Sequence, residues 1–295
     1  MRMYSTIVCL FALFAPASSP AQDDFSKVEI KTIPVSGNIH MLEGSGGNIG
    51  VSAGPDGILM IDDQYAPLSE KIKAALAKLG SEKPRFILNT HWHLDHVGGN
   101  ETFGRDGSII SHDNVRKRLS TRQELFGRTV EPLKKEGLPV VTYNDAVTVH
   151  FNGEEIRMVH FPNSHTDGDG VVFFSGSNVV HMGDLMFAGM FPFVDLDHGG
   201  DVVGLTKSVE RIIAMLKPDV KIIPGHGPLS TLDDLKTFHA MLVETTDHVR
   251  KAVAAGKTLD QIKADGVPDK WKPWGTGFIK TDRWLETVHR SLTRE

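Results

Sequence analysis

Apolar residues in the first fifth of the chain arrive in short runs, at 28–33, 39–42, 49–53 and 58–61, separated by turn signals such as Ser45-Gly46-Gly47-Asn48 and Gly54-Pro55-Asp56-Gly57. Runs of that length broken by glycine, proline and asparagine predict a β-meander. The period then changes. Ile72, Leu76 and Leu79 recur at helical spacing among charged residues, so 68–79 is predicted helical and ends at Gly80. A strand follows at 85–89 and a short one at 108–111, then a charged helical stretch around 114–125. A second group of strands is predicted at 146–151, 156–161, 171–174 and 179–182. Helices at 202–216 and 232–255 enclose a strand at 220–223, and a last short helix covers 282–292. Strands then helix, twice over, predict an α/β fold with two sheets face to face and helices outside.

Residues 1–21 have the form of a secretory signal: Arg2 as a basic start, an apolar stretch at 7–15, and Ser19-Pro20-Ala21 ahead of Gln22. Cleavage there leaves 274 of the 295 residues, expected to form one domain, 22–295, with a C-terminal helical extension, in the periplasm or outside the cell. The apolar stretch is too short to span a bilayer, so no membrane association is expected after cleavage. The only cysteine, Cys9, lies within this segment, which excludes disulfides and thiolate ligands from the mature chain. Formal charge is −5, or −6 without Arg2, and no basic block is present, so nucleic acid is not an expected partner. Oligomeric state is not legible.

The chemistry concentrates in His91-Trp92-His93-Leu94-Asp95-His96, three imidazoles and a carboxylate in six residues. The strand before it projects alternate side chains to one side, so His91 and His93 reach the same point, and Val97-Gly98-Gly99-Asn100 supplies the following bend. Gathering these groups without a cation leaves buried polar atoms unsatisfied, at a cost of several kcal/mol. A metal site is the economical reading, and four donors in one loop suggest two adjacent metals. Further candidates stand in glycine- or proline-rich turns after strands: His165, Asp184 and His226. His40, His112, His150, His160, His239, His248 and His289 lack a partner nearby and are assigned packing or surface roles, while His181 and His198 flank the Asp184 loop. The segment 187–193 reads as core or pocket wall, and Trp271 and Trp274 as either a cover for that pocket or an anchor for the C-terminal tail.

With these segments in order, Asp62, His91-x-His93-x-Asp95-His96, His165, Asp184 and His226, the chain resembles the metallo-β-lactamase fold superfamily over roughly 48–228. The resemblance implies a four-layer αββα sandwich with metals at one edge. It implies His91, His93 and His165 on the first metal, Asp95, His96 and His226 on the second, and Asp184 bridging. In the best-known β-lactamase subclass a cysteine occupies the position of Asp184, with a lysine three residues on that pairs with the substrate carboxylate. Phe187 stands there instead, which looks more like the thioesterase and lactonase branches, although another cation such as Lys207 could serve.

The expected function is an exported zinc hydrolase, two Zn²⁺ per chain, acting on a small thioester, lactone, ester or β-lactam. A metal lowers the pKa of its water from ~16 toward ~7. Asp95 is expected to orient the resulting nucleophile, and Asp62 or Asp63 to brace a ligand imidazole. Nitrogen and oxygen donors alone leave Fe or Mn possible. The alternatives are a β-lactamase proper, a mononuclear iron sulfur dioxygenase of the same fold, and a protein that binds metal without turnover.

Overall fold

The computed structural model describes residues 24–294. The proposed signal segment at 1–21 lies outside them. A single 3₁₀ turn, Phe25–Lys27, leads into an antiparallel meander of β1 (Lys31–Ser36), β2 (Ile39–Glu43), β3 (Ile49–Gly54) and β4 (Gly57–Ile61). Helix α1 (Ser69–Ala77) crosses over to β5 (Pro84–Leu88), which pairs parallel with β4. The histidine loop carries two single-turn helices, α2 (Leu94–Val97) and α3 (Asn100–Phe103), before β6 (Ser108–His112) joins β5 in parallel. Helix α4 (Asp113–Leu119), a hairpin of β7 (Gln123–Leu125) and β8 (Arg128–Val130), and β9 (Val141–Tyr143) complete this half.

The second half repeats the scheme. Strands β10 (Ala146–Phe151), β11 (Glu154–His160), β12 (Gly170–Phe174) and β13 (Val179–His181) form an antiparallel meander. Helix α5 (Val202–Met215) leads to β14 (Lys221–Ile223), parallel to β13, and then β15 (Ser230–Thr231) adds an edge. Helices α6 (Leu232–Ala254), α7 (Leu259–Asp265) and α8 (Thr281–Thr293) close the chain.

Side-chain alternation explains the layers. Leu59 and Ile61 of β4 point inward and meet Ile156, Met158 and Val172 of the other sheet, so the two sheets bury one shared face. Ile58 and Met60 point outward onto Leu68, Ile72 and Leu76 around α1. On the far side Val171, Val180 and Ile222 pack under Leu205, Val209 and Ile212 of α5 and Leu235, Phe238 and Leu242 of α6. The result is the expected αββα sandwich. Its parallel pairs matter for function, because parallel strands end at the same edge. Asp62 follows β4, Thr90 follows β5, Asp184 follows β13 and His226 follows β14, all at that edge.

Several elements differ from the sequence reading. The first strand starts at Lys31 rather than residue 28, and Pro34, which has no N–H to donate, is accommodated because β1 is an edge strand. The helix predicted to continue to residue 125 stops at Leu119, and Phe126-Gly127, both at positive φ, turn the chain into the β7–β8 hairpin. Strand β9 and helix α7 were not anticipated, although the capping box of Thr258 and Gln261 marks the start of α7. Trp271 and Trp274 anchor the tail: Trp271 Nε1 donates to Glu244 at 3.0 Å, and Trp274 stacks on Phe238. Among the described residues no helix is long and apolar enough to cross a membrane.

Candidate metal centre

Two clusters of donor atoms converge at the shared strand edge. The first comprises His91, His93, His165 and Asp184, all buried; the second comprises Asp95, His96 and His226. In the first, His93 Nδ1 lies 3.1 Å from His91 Nε2 and 2.9 Å from His165 Nε2, and Asp184 Oδ2 lies 3.7 and 3.4 Å from those Nε2 atoms. In the second, His96 Nε2 and His226 Nε2 stand 3.4 Å apart, each within 3.7 Å of Asp95 Oδ2. Asp184 Oδ1 faces this second pair at 3.0 and 3.4 Å. Each oxygen of one carboxylate therefore addresses a different cluster.

These residues fit a pair of metal ions. A tetrahedral ion with bonds of about 2.1 Å sets its ligand atoms about 3.4 Å apart, close to the spacing found here. Asp184 Oδ1 is buried without a hydrogen bond, an orphan that a cation would satisfy. Two glycines make room for the donors. A Cβ on Gly47 would lie 2.1 Å from His96 Cε1, and one on Gly225 would lie 2.2 Å from Asp184 Oδ1.

Surrounding hydrogen bonds fix the tautomers. Asp62 Oδ2 accepts from Thr90 Oγ1 at 2.7 Å and from His96 Nδ1 at 2.8 Å. Because the Thr90 hydroxyl gives its proton to Asp62, its oxygen accepts from His91 Nδ1–H at 3.0 Å. His93 Nε2–H donates to Asp195 at 2.9 Å, and His165 Nδ1–H donates to the Phe193 carbonyl at 2.8 Å. Each of these four imidazoles thus turns its other nitrogen toward the cluster, with a lone pair available for a metal.

Asp62 adopts φ +61°, an uncommon backbone state for a residue other than glycine, held by Thr90 N–H donating to its Oδ1 at 2.7 Å. Asp63, the other candidate brace, touches no imidazole. Its carboxylate accepts from Gly99 N–H at 2.8 Å and secures the bend of the histidine loop, and burial pushes its pKa well above the usual range. Of the two aspartates only Asp62 braces a ligand.

Electrostatics divide the clusters. Burial disfavours the charged imidazolium of His91 and His165, lowering the first well below its ordinary value and the second to about 4. Burial acts the same way on His226, but Asp184 and Asp95 outweigh it and raise its pKa to about 9. His96 is likewise raised, because Asp184, Asp95 and Asp62 outweigh burial. Burial would raise Asp95, yet His96 and His226 bring it down to about 2.

Several residues around the clusters were not identified from sequence or were left open. Asp195 holds both His93 and His198, 102 residues from the former, and nothing local in sequence marks it. His198 packs on Trp92, and His181 donates to the Asn48 carbonyl while accepting from Gly183 N–H, so both support the site without joining it. Phe187 stacks on His226 at 4.8 Å. Lys207 is excluded as a substitute for the missing lysine: it lines a separate groove on α5 with Arg211 and Arg294.

A family model for the metallo-beta-lactamase superfamily matches residues 32–226. Among curated proteins, the chain is 29% identical over 155 residues to a hydroxyacylglutathione hydrolase of Anaeromyxobacter dehalogenans, covering 52% of this chain and 51% of that one. A hydroxyacylglutathione hydrolase of Haemophilus influenzae is 27% identical over 54% of this chain and 76% of its own. The beta-lactamase-like protein 2 homolog of Drosophila melanogaster is 31% identical over 48% of this chain and 44% of its own. The chain thus spans about half the length of two of these relatives. Among solved structures, the DIM-1 metallo-beta-lactamase superposes with a TM-score of 0.61 at 15% identity, over 73% of this chain and 98% of that one. The sec-alkylsulfatase Pisa1 from Pseudomonas sp. does so with a TM-score of 0.65 at 13% identity, over 90% of this chain and 50% of the other. With the family model spanning both donor clusters from His91 to His226, the chain belongs to the metallo-β-lactamase superfamily.

Proposed function

We propose that the chain is a dinuclear zinc hydrolase that cleaves an activated carboxylic acid derivative, a thioester, lactone or ester. The observation that carries this reading is the placement of Asp184, with one oxygen toward His91 and His165 and the other toward His96 and His226. Two divalent cations held there would polarise the carbonyl and ionise a water near neutral pH. His91, His93 and His165 would hold one cation, and Asp95, His96 and His226 the other, with Asp184 shared. Asp95, ionised at neutral pH and lining the cavity, would orient the attacking water. Asp195, Asp62 and the Phe193 carbonyl keep the imidazoles aligned throughout.

Thioesters and lactones are favoured over β-lactams because the position of the carboxylate-pairing lysine is filled by Phe187 and Lys207 lies elsewhere. The hydroxyacylglutathione hydrolases among the relatives support the thioester side of this class. Asp184→Asn tests the shared carboxylate. An amide is neutral and a weaker ligand, so metal content should fall from two toward one per chain, with kcat falling at least tenfold. Two zinc ions retained at wild-type activity would remove Asp184 from the site, and one iron per chain with oxygen uptake would replace the hydrolase by an oxygenase.

A further inference from the structure

The cavity over the metal centre has an unusual wall. Its volume is about 470 Å³, room for a small organic substrate. Leu125 and Phe126 of the hairpin, Phe187, Met190, Phe193 and Phe278 contribute apolar surface, and none of the described residues lining it is a lysine or arginine. Two of these rings stand in solvent: Phe126 is 54% exposed and Phe278 72%. They form one aromatic run inward. Phe278 meets Phe126 edge-on at 5.8 Å, Phe126 meets Phe193 at 4.6 Å, and Phe193 lies 5.5 Å from His93.

Phe126 is held there against its own preference. Its φ of +52° is a backbone state that bulky side chains rarely adopt, at a turn where asparagine or glycine is the usual occupant. An exposed phenylalanine in that conformation contributes little to the core. Its ring instead extends the wall of the cavity. Arg283 and Arg290 line a different groove behind Phe126 and Phe193, and both are paired, with Glu286 and Asp197.

We propose that the aromatic run of Phe193, Phe126 and Phe278 selects substrates whose acyl group is uncharged and apolar, such as an arylalkanoyl or medium-chain ester, lactone or thioester. This rests on the hydrolase reading above and narrows its substrate. An anionic acyl group finds no lysine or arginine among the described residues of the cavity wall and meets Asp24 and Asp95 there. Its remaining partner would be the metal centre, and pairing there would occupy the place the scissile carbonyl needs.

The test uses two matched pairs. In turnover, zinc-loaded protein is given p-nitrophenyl hexanoate and p-nitrophenyl hemisuccinate. In binding, calorimetry compares 4-phenyl-2-butanone, which has no bond to hydrolyse, with the same ketone bearing a ring sulfonate. The neutral member of each pair should be preferred at least tenfold, the scale of a lost apolar contact in a pocket. In Phe126→Ala/Phe278→Ala that preference should collapse through KM and Kd while metal content and the thermal unfolding midpoint hold. Equal or tighter binding of the sulfonate, or a preference untouched in the double variant, overturns the proposal and leaves the hydrolase reading in place. Selective binding of the neutral ketone with no turnover of any ester supports the aromatic wall and counts against the hydrolase.

Discussion

Asp62→Asn is the substitution that most directly probes how the centre is held. Asparagine keeps the shape of aspartate and tolerates positive φ, so the backbone at +61° is not disturbed. The amide oxygen can still accept from Thr90 N–H, but that places the NH₂ where Oδ2 accepts from both the Thr90 hydroxyl and His96 Nδ1–H. Donor then faces donor. His96 is relieved only by moving its proton to Nε2, the nitrogen directed at Asp184 and His226. A hydrogen bond to a charged group contributes about 1.5–3 kcal/mol. Loss of an outer-shell partner typically lowers metal affinity about 10–100-fold, or ~1.4–2.8 kcal/mol, so the two magnitudes agree.

We therefore expect metal affinity at the second cluster to fall about 10–100-fold in Asp62→Asn, with a smaller loss at the first cluster, which Asp62 reaches only through Thr90 and His91. Competition with a chromophoric chelator measures both affinities. Nitrogen-15 spectra of the imidazoles report the tautomer of His96 directly. Asp63→Asn is the control: its carboxylate touches Gly99 N–H and no imidazole, so metal affinity should be unchanged. Equal effects of the two substitutions, or an unaltered His96 tautomer in Asp62→Asn, would refute the reasoning.

Three further outcomes are expected. Protons compete with metal at an imidazole whose metal-free pKa is raised, so with His226 at about 9 and His96 also raised, affinity at the second cluster should weaken as pH falls from 9 to 6. With His165 near 4 and His91 also lowered, the first cluster should hold over that window, and simultaneous release of both metals would contradict this. Gly47→Ala places a methyl 2.1 Å from His96 Cε1, so thermal stability should drop by about 1–3 kcal/mol and the second metal should be lost before the first; unchanged stoichiometry and Tm would count against it. The signal segment predicts cleavage after Ala21, and an intact mass from the native host that retains Met1 or Arg2 would rule it out.

What could be read from sequence was what a short window contains. The strands at 39–42, 49–53 and 58–61 carry their periodicity and their turns within a few residues, and they lie where expected. The hairpin at Phe126 was missed for the same reason. Its turn uses a phenylalanine at positive φ, so the residues carry a helical composition through a reversal that the neighbouring Phe193 and Phe278 help to hold. The two-residue strand β15 has no pattern of its own and exists only because β14 offers it an edge.

The same contrast orders the metal centre. His91, His93, Asp95 and His96 announce themselves because four donor-bearing side chains within six residues are hard to place without a cation. His165, Asp184 and His226 are legible at longer range, since each sits in a turn at the end of a strand and parallel strands share an edge. The residues that aim those ligands leave no such mark. Asp195 is one aspartate among many until the fold carries it 2.9 Å from His93 Nε2, and Asp62 and Asp63 are neighbours of identical chemistry separated only by which way each points. Ligand identity is a property of residue type and can be read from the chain. Ligand orientation arises from contacts made across 28 to 102 residues, between Asp62 and Thr90, Phe193 and His165, and Asp195 and His93, and needs the folded molecule.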